Sequence, residues 1–133
     1  MAHKNYVNTG RGIPIVLGGT VYAGDSIRKS GGLAYQQRDS ETAGIDGIAN
    51  EGGVTGATIT YNALVHVIRA KAGAGVSFAV GDYCYCTGTE NTYDAGTQSD
   101  VAAGECVGAT AAAGGYFDML VLPKFTGNPP THA

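Results

Sequence analysis

The chain has 133 residues, 44 % of them hydrophobic and only 14 % charged, with 22 glycines and a formal net charge of −3. That length suits one ordinary core, so a single β domain is expected over 12–123, between an N-terminal arm at 1–11 and a C-terminal tail at 124–133. The acidic balance and the scatter of the eight Lys and Arg argue against direct nucleic-acid binding, and no run approaches the roughly 18 apolar residues of a membrane span.

Charged residues fall well below the roughly 25 % of an average soluble domain. Either partners cover part of the surface, or the many Gly, Ala, Ser and Thr dilute the charge. The first residues, MAHKNYVNTG, lack the apolar core of a signal peptide, so the protein is expected in the cytoplasm until it joins something larger.

Residues 1–11 are polar, with His3, Lys4, Asn5 and Arg11 around one apolar pair, Tyr6 and Val7. Such an arm either frays or lies on a neighbour with Tyr6 as its anchor. IPIVL then reads as a short strand whose Pro14 suits a strand start or an edge. After Gly18-Gly19, TVYAGDSI contains a Gly24-Asp25 turn signal, and LAY at 33–35 is another short strand. The polar window QQRDSE at 36–41 reads as an exposed loop, followed by a brief apolar return, IDGIA.

VTGATITYNALVHVIRA, 54–70, could pass for a helix through Tyr61, Leu64, Val65 and Ile68, but its many β-branched residues suit a pleated surface. Two strands are expected, at about 55–61 and 64–71. In the second, Leu64, His66 and Ile68 share one face while Val65, Val67 and Arg69 share the other. A lone His in that setting is read as a hydrogen-bonded structural residue.

The central stretch, AKAGAGVSFAVGDYCYC, alternates through Val76, Phe78 and Val80, breaks at Gly81-Asp82 and resumes at Tyr83–Cys86. It reads as a tightly turned β unit, with Gly73, Gly75 and Gly81 permitting the corners. TGTENTYDAGTQSD, 87–100, lacks the spacing of a calcium loop and reads as a solvated hairpin loop. YFDMLVL, 116–122, reads as a buried closing strand with Phe117, Met119 and Val121 on one face, ended by Pro123.

Cys84, Cys86 and Cys106 lack the paired spacing of a disulfide framework, and no fourth ligand for a thiolate metal site is evident. Buried free thiols are expected, with no metal, cofactor or catalytic residue. A hydrophobic-x-Gly-acidic signal recurs as VYAGDSI, FAVGDYCY and VAAGECVG, which points to repeated β corners. Together these segments predict an all-β fold: a compact, glycine-rich barrel or sandwich of short antiparallel strands with extended arms at both ends.

The order VYAGDSI, GGLAY, the GIA of IDGIA, FAVGDYCY and GECVGATAAAGGYFDMLVL, spanning roughly Ile15 to Leu122, resembles the small tailed-phage capsid decoration, or cement, proteins of the DUF2190 type. The resemblance implies a non-enzymatic β protein on the outside of an assembled icosahedral shell, commonly a homotrimer, whose partner is the major capsid protein. It implies location on the virion exterior, after synthesis in the host cytoplasm. His3, Lys4, Asn5, Tyr6, Val7 and Arg11 are then the expected capsid or subunit contacts. The 87–100 loop and the Cys-x-Cys strand depart from the family pattern.

Two other classes stay open at the level of sequence. A β module exposing Tyr6, Tyr22, Tyr35, Tyr61 and Tyr93 could stack on glycans of a host surface. An enzyme would need a constellation that His66 with the three cysteines does not make by spacing.

Overall fold

The computed structural model describes residues 12–36, 44–87, 92–96 and 100–124. Those residues form ten short strands and no long helix. The first five are β1 (Ile13–Leu17), β2 (Ser26–Ser30), β3 (Leu33–Gln36), β4 (Gly47–Ala49) and β5 (Thr58–Asn62). The second five are β6 (Val67–Ala72), β7 (Tyr83–Cys86), β8 (Thr92–Asp94), β9 (Gly104–Gly108) and β10 (Tyr116–Val121). They close into two five-stranded barrels, ordered β1-β3-β2-β4-β5 and β10-β6-β8-β7-β9. The all-β expectation therefore holds, and the architecture is a pair of barrels in tandem.

The two barrels repeat one topology down to the register. β1 runs parallel to β3 through Leu17↔Ala34, and β6 runs parallel to β8 through Ala72↔Tyr93. The antiparallel pairs match likewise: Ile13↔Tyr61 with Ile68↔Met119, Ser26↔Ile48 with Tyr83↔Glu105, and Ile48↔Asn62 with Glu105↔Leu120. The residues of these matched pairs thus have defined equivalents in the two barrels, and the β9–β10 ladder adds a register shift at Asp118/Met119 that the β4–β5 ladder lacks.

The recurring Gly-acidic signal marks this repetition in two of its three occurrences. Before β2, Asp25 Oδ2 accepts from Tyr22 N (2.8 Å); before β7, Asp82 Oδ2 accepts from Ala79 N (2.8 Å). Gly24 and Gly81 hold φ of 89° and 97° at these corners, a region that a Cβ disfavours. The third occurrence differs: Gly104-Glu105 lies inside β9 and is the equivalent of Gly47-Ile48 in β4. Both of these strand glycines are required by close approach, since a Cβ would collide with Asn62 O at Gly47 and with Met119 Cγ at Gly104.

Core volume is traded between equivalent positions. The first barrel pairs Leu17 with Ala34, and the second pairs Ala72 with Tyr93. Likewise Ile15 faces Ile59 where Ala70 faces Phe117. In three of these four pairs a large residue on one strand meets a small one on its neighbour, so two unlike sequences fill the same barrel. In the second barrel, Phe117 packs on Phe78 at 4.6 Å between ring centroids and meets Tyr93 edge-on at 6.4 Å.

Several local expectations are corrected. Val76–Val80 is not a strand, because its hydrogen bonds go to a distant segment: Phe78 N donates to Thr110 Oγ1 (3.1 Å), and Phe78 O accepts from Thr110 N. Only Phe78 of that run is buried, and Val80 faces solvent. The strands expected at about 55–61 and 64–71 are β5 and β6, shifted toward the C-terminus because Leu64 and Val65 serve the connection between the barrels. The 87–100 segment is not wholly a solvated loop: Tyr93 is buried on β8. Gln36, read as part of an exposed loop, is buried at the end of β3, where its amide reaches Asp25. Phe117, Met119 and Val121 are buried as expected.

Candidate functional site

The barrels join through β4, whose two faces serve different cores. Ala49 belongs to the first barrel's core, whereas Ile48, with Ile45, belongs to the second barrel's. Polar contacts fix the same junction. Ser26 Oγ and Tyr93 Oη are 2.5 Å apart and buried. Asp46, itself buried, accepts from Lys29 N (2.7 Å) and pairs with Lys124 Nζ (3.5 Å), while Lys124 N donates to Ile45 O (2.9 Å). Behind it, Asp25 Oδ2 accepts from both Tyr22 N and Gln36 Nε2 (2.7 Å). A carboxylate receiving such donors tolerates burial that would otherwise be costly.

The first barrel keeps an opening beside this junction, a cavity of about 180 Å³ lined by Ile13, Lys29, Asp46, Tyr61 and Ala63. The Lys29 ammonium lies over the Tyr61 ring, 5.7 Å from its centroid. By register, the equivalent positions in the second barrel are Ile68, Cys86, Ala103, Met119 and Val121. All five belong to, or pack on, the cluster that contains Ile45 and Ile48. Among the described residues, one barrel mouth is therefore filled from within the chain, and the other keeps a cavity between Lys29 at the surface and the buried Tyr61 and Ala63.

A second concavity, about 340 Å³, is lined by Ser77, Phe78, Asp82, Tyr83, Tyr85 and Ala95. It lies at the corner before β7 and presents hydroxyl and carboxylate oxygens beside aromatic rings.

The three cysteines are buried thiols. Burial pushes the Cys84 thiol far above its ordinary value, with the nearby Cys106 thiol adding to the effect, and burial likewise raises Cys106. Protonated, enclosed thiols are poor nucleophiles. His66, expected on a strand face, lies just before β6, half-buried, where its Nδ1 donates to Leu64 O (2.7 Å). Among the described residues, no group of three or more His, Cys, Asp or Glu is placed to hold a metal ion.

The tyrosines expected on a common sugar-stacking surface are not brought together as one. Tyr61 and Tyr93 are buried core residues, because their rings fill the barrels, while Tyr22 is exposed. Tyr6 and the other expected contact positions, His3, Lys4, Asn5, Val7 and Arg11, lie outside the described residues. The open mouth begins at Ile13 and was not foreseen, since Ile13, Lys29, Tyr61 and Ala63 share no motif. Only strand register brings them together. No family model matches the chain, and no curated protein matches it.

Proposed function

We propose that this chain is a non-enzymatic virion structural protein that binds the outer surface of an icosahedral phage capsid and stabilises it, working as a homo-oligomer, in the simplest case a trimer. The observation that carries this reading is the order of short motifs from Ile15 to Leu122, which resembles the capsid decoration family. The twin-barrel architecture is consistent with that role. Short strands closed into barrels lose little conformational freedom on docking, so many weak contacts multiplied by shell symmetry suffice for occupancy. The major capsid protein is the partner in this reading, with His3, Lys4, Asn5, Tyr6, Val7 and Arg11 as its proposed contacts.

The test is co-sedimentation of purified protein with shells of the phage or prophage that carries the gene. Stoichiometric, saturable binding that falls when residues 2–11 are deleted is expected. A protein that stays in the supernatant with its arm intact contradicts the reading.

A glycan-binding module is the second reading, favoured by the concavity that sets Tyr83 and Tyr85 beside Asp82 and Ser77. Aromatic faces with adjacent carboxylate and hydroxyl oxygens match the alternating apolar and polar faces of a sugar. Glycan-array binding that is lost in Tyr83→Ala would favour it.

A further inference from the structure

Inside the chain, the first barrel plugs the second: the face carrying Ser26 and Ile48 closes on the cluster of Ile68, Cys86, Ala103, Met119 and Val121. Because the barrels share one register, each has both a plugging face and a mouth. Among the described residues, the chain uses the first barrel's face and the second barrel's mouth, which leaves the complementary pair unused.

The unused face is a continuous band across four strands. Val67, Leu120, Glu105 and Tyr83 are register neighbours in turn along β6, β10, β9 and β7, so their side chains share the outer side of the sheet. Ser26, which contacts Tyr93, is 5 % exposed, whereas its equivalent Tyr83 is 41 % exposed and Val67 55 %. The unused mouth is the cavity of Ile13, Lys29, Tyr61 and Ala63.

We propose that this mouth receives the Tyr83–Glu105–Leu120 face of the second barrel of another copy, in a head-to-tail contact that repeats the one within the chain. The chemistry at equivalent positions is complementary. Within the chain, apolar Ile48 on the face belongs to the same cluster as Cys86 of the mouth. Between chains, Glu105 takes the place of Ile48 and Lys29 the place of Cys86, so opposite charges enter where the chain's own junction has one apolar cluster. Such a pair at an interface confers selectivity and keeps the free surfaces soluble. The contact uses different surfaces on the two copies, so it is heterologous: it closes into a ring or extends into a filament, and it is not a two-fold dimer.

The test is a charge exchange read by native mass spectrometry and sedimentation equilibrium of the full chain, with no shells present, so its failure leaves shell binding untouched. Wild type is expected to associate. Glu105→Lys and Lys29→Glu, each alone, should weaken self-association by about tenfold or more, and mixing the two variants should restore it. Restoration follows because each variant carries one altered and one native surface. The altered face of the Glu105→Lys chain meets the altered mouth of the Lys29→Glu chain, and the native face of the latter meets the native mouth of the former. A chain carrying both substitutions should associate with itself.

If Lys29→Glu disturbs Asp46, Tyr83→Asp at its exposed position gives the same loss on the other side of the contact. Wild type that remains monomeric, single variants that keep the wild-type mass, or a mixture that stays monomeric overturns the proposal. A wild type that associates only after residues 2–11 are removed identifies the arm as the occupant of the mouth, and also overturns it.

Discussion

The two barrels have the same strands, pairings and corners, yet they differ in what fills and closes them. The first packs Leu17, Ile15, Ile27 and Ala49 at positions where the second has Ala72, Ala70, Cys84 and Cys106. The second regains volume through Phe78, Tyr93 and Phe117, and takes Ile45 and Ile48 from its neighbour. Topology here is set by turn placement and hydrogen-bond register, while the core needs only a similar sum of volumes. The second barrel borrows part of its core and so depends on the first, which is complete in apolar terms but open at its mouth.

The largest expected effect comes from breaking the volume exchange. Tyr93→Ala leaves two alanines facing each other at Ala72↔Tyr93 and strands Ser26, and should cost about 3–5 kcal/mol in urea unfolding. Adding Ala72→Leu, which copies the Leu17/Ala34 pair, should recover about 1–2 kcal/mol, although Ala72→Leu alone should destabilise through overpacking. A strictly additive double variant would contradict the equivalence of the two barrels.

Next come the corners, alike in geometry and unlike in burial. Asp25→Ala should cost about 3 kcal/mol, because it strands the buried Gln36 amide and the part-buried Tyr22 N. Asp82→Ala removes the matching bond to Ala79 N at an exposed site and should cost about 1 kcal/mol or less. Equal costs would mean that the second barrel's corner carries more of the fold than its exposure implies.

A smaller difference should emerge in alkali. Cys84, Cys106 and Tyr93 replace Ile27, Ala49 and Ala34, and burial raises the pKa of all three. Their ordinary values are 9.0 for the thiols and 10.0 for the phenol. Above these values the unfolded chain releases protons that the folded chain retains, so stability is intact below about pH 9 and falls as pH rises. Each such group contributes a slope of at most about 1.4 kcal/mol per pH unit. Cys84→Ala and Tyr93→Phe should each flatten the loss in thermal midpoint between about pH 8 and 11, even though Tyr93→Phe costs about 1 kcal/mol at neutral pH. Substitutions at Ile27 or Ala34 should leave that slope unchanged.

Much of this was legible in the sequence where local chemistry sets local structure. The Gly24-Asp25 and Gly81-Asp82 corners, the IPIVL strand and the alternation of Phe117, Met119 and Val121 could all be read directly. The repeated Gly-acidic signal pointed to recurring corners. What could not be read was the pairing of distant segments: β8 around Tyr93 has only three residues, and its burial depends on Ala72, Ser26 and Phe117 far away in the chain. Val76–Val80 misled for the converse reason, since an alternating apolar pattern was bonded to Thr110 and not to a ladder. The open mouth carries no local signature at all, because it is defined by what its equivalent in the second barrel receives.

Unequal closure of two equivalent barrels is measured most directly by hydrogen exchange of the wild-type chain across a dilution series. In dilute protein, β10 around Met119 and Val121 should be more protected than its equivalent β5 around Tyr61. As concentration rises, β5 and the Glu105 edge of β9 should gain protection while β10 stays unchanged. Equal protection of β5 and β10 in dilute protein, or protection of β5 that ignores concentration, would contradict it.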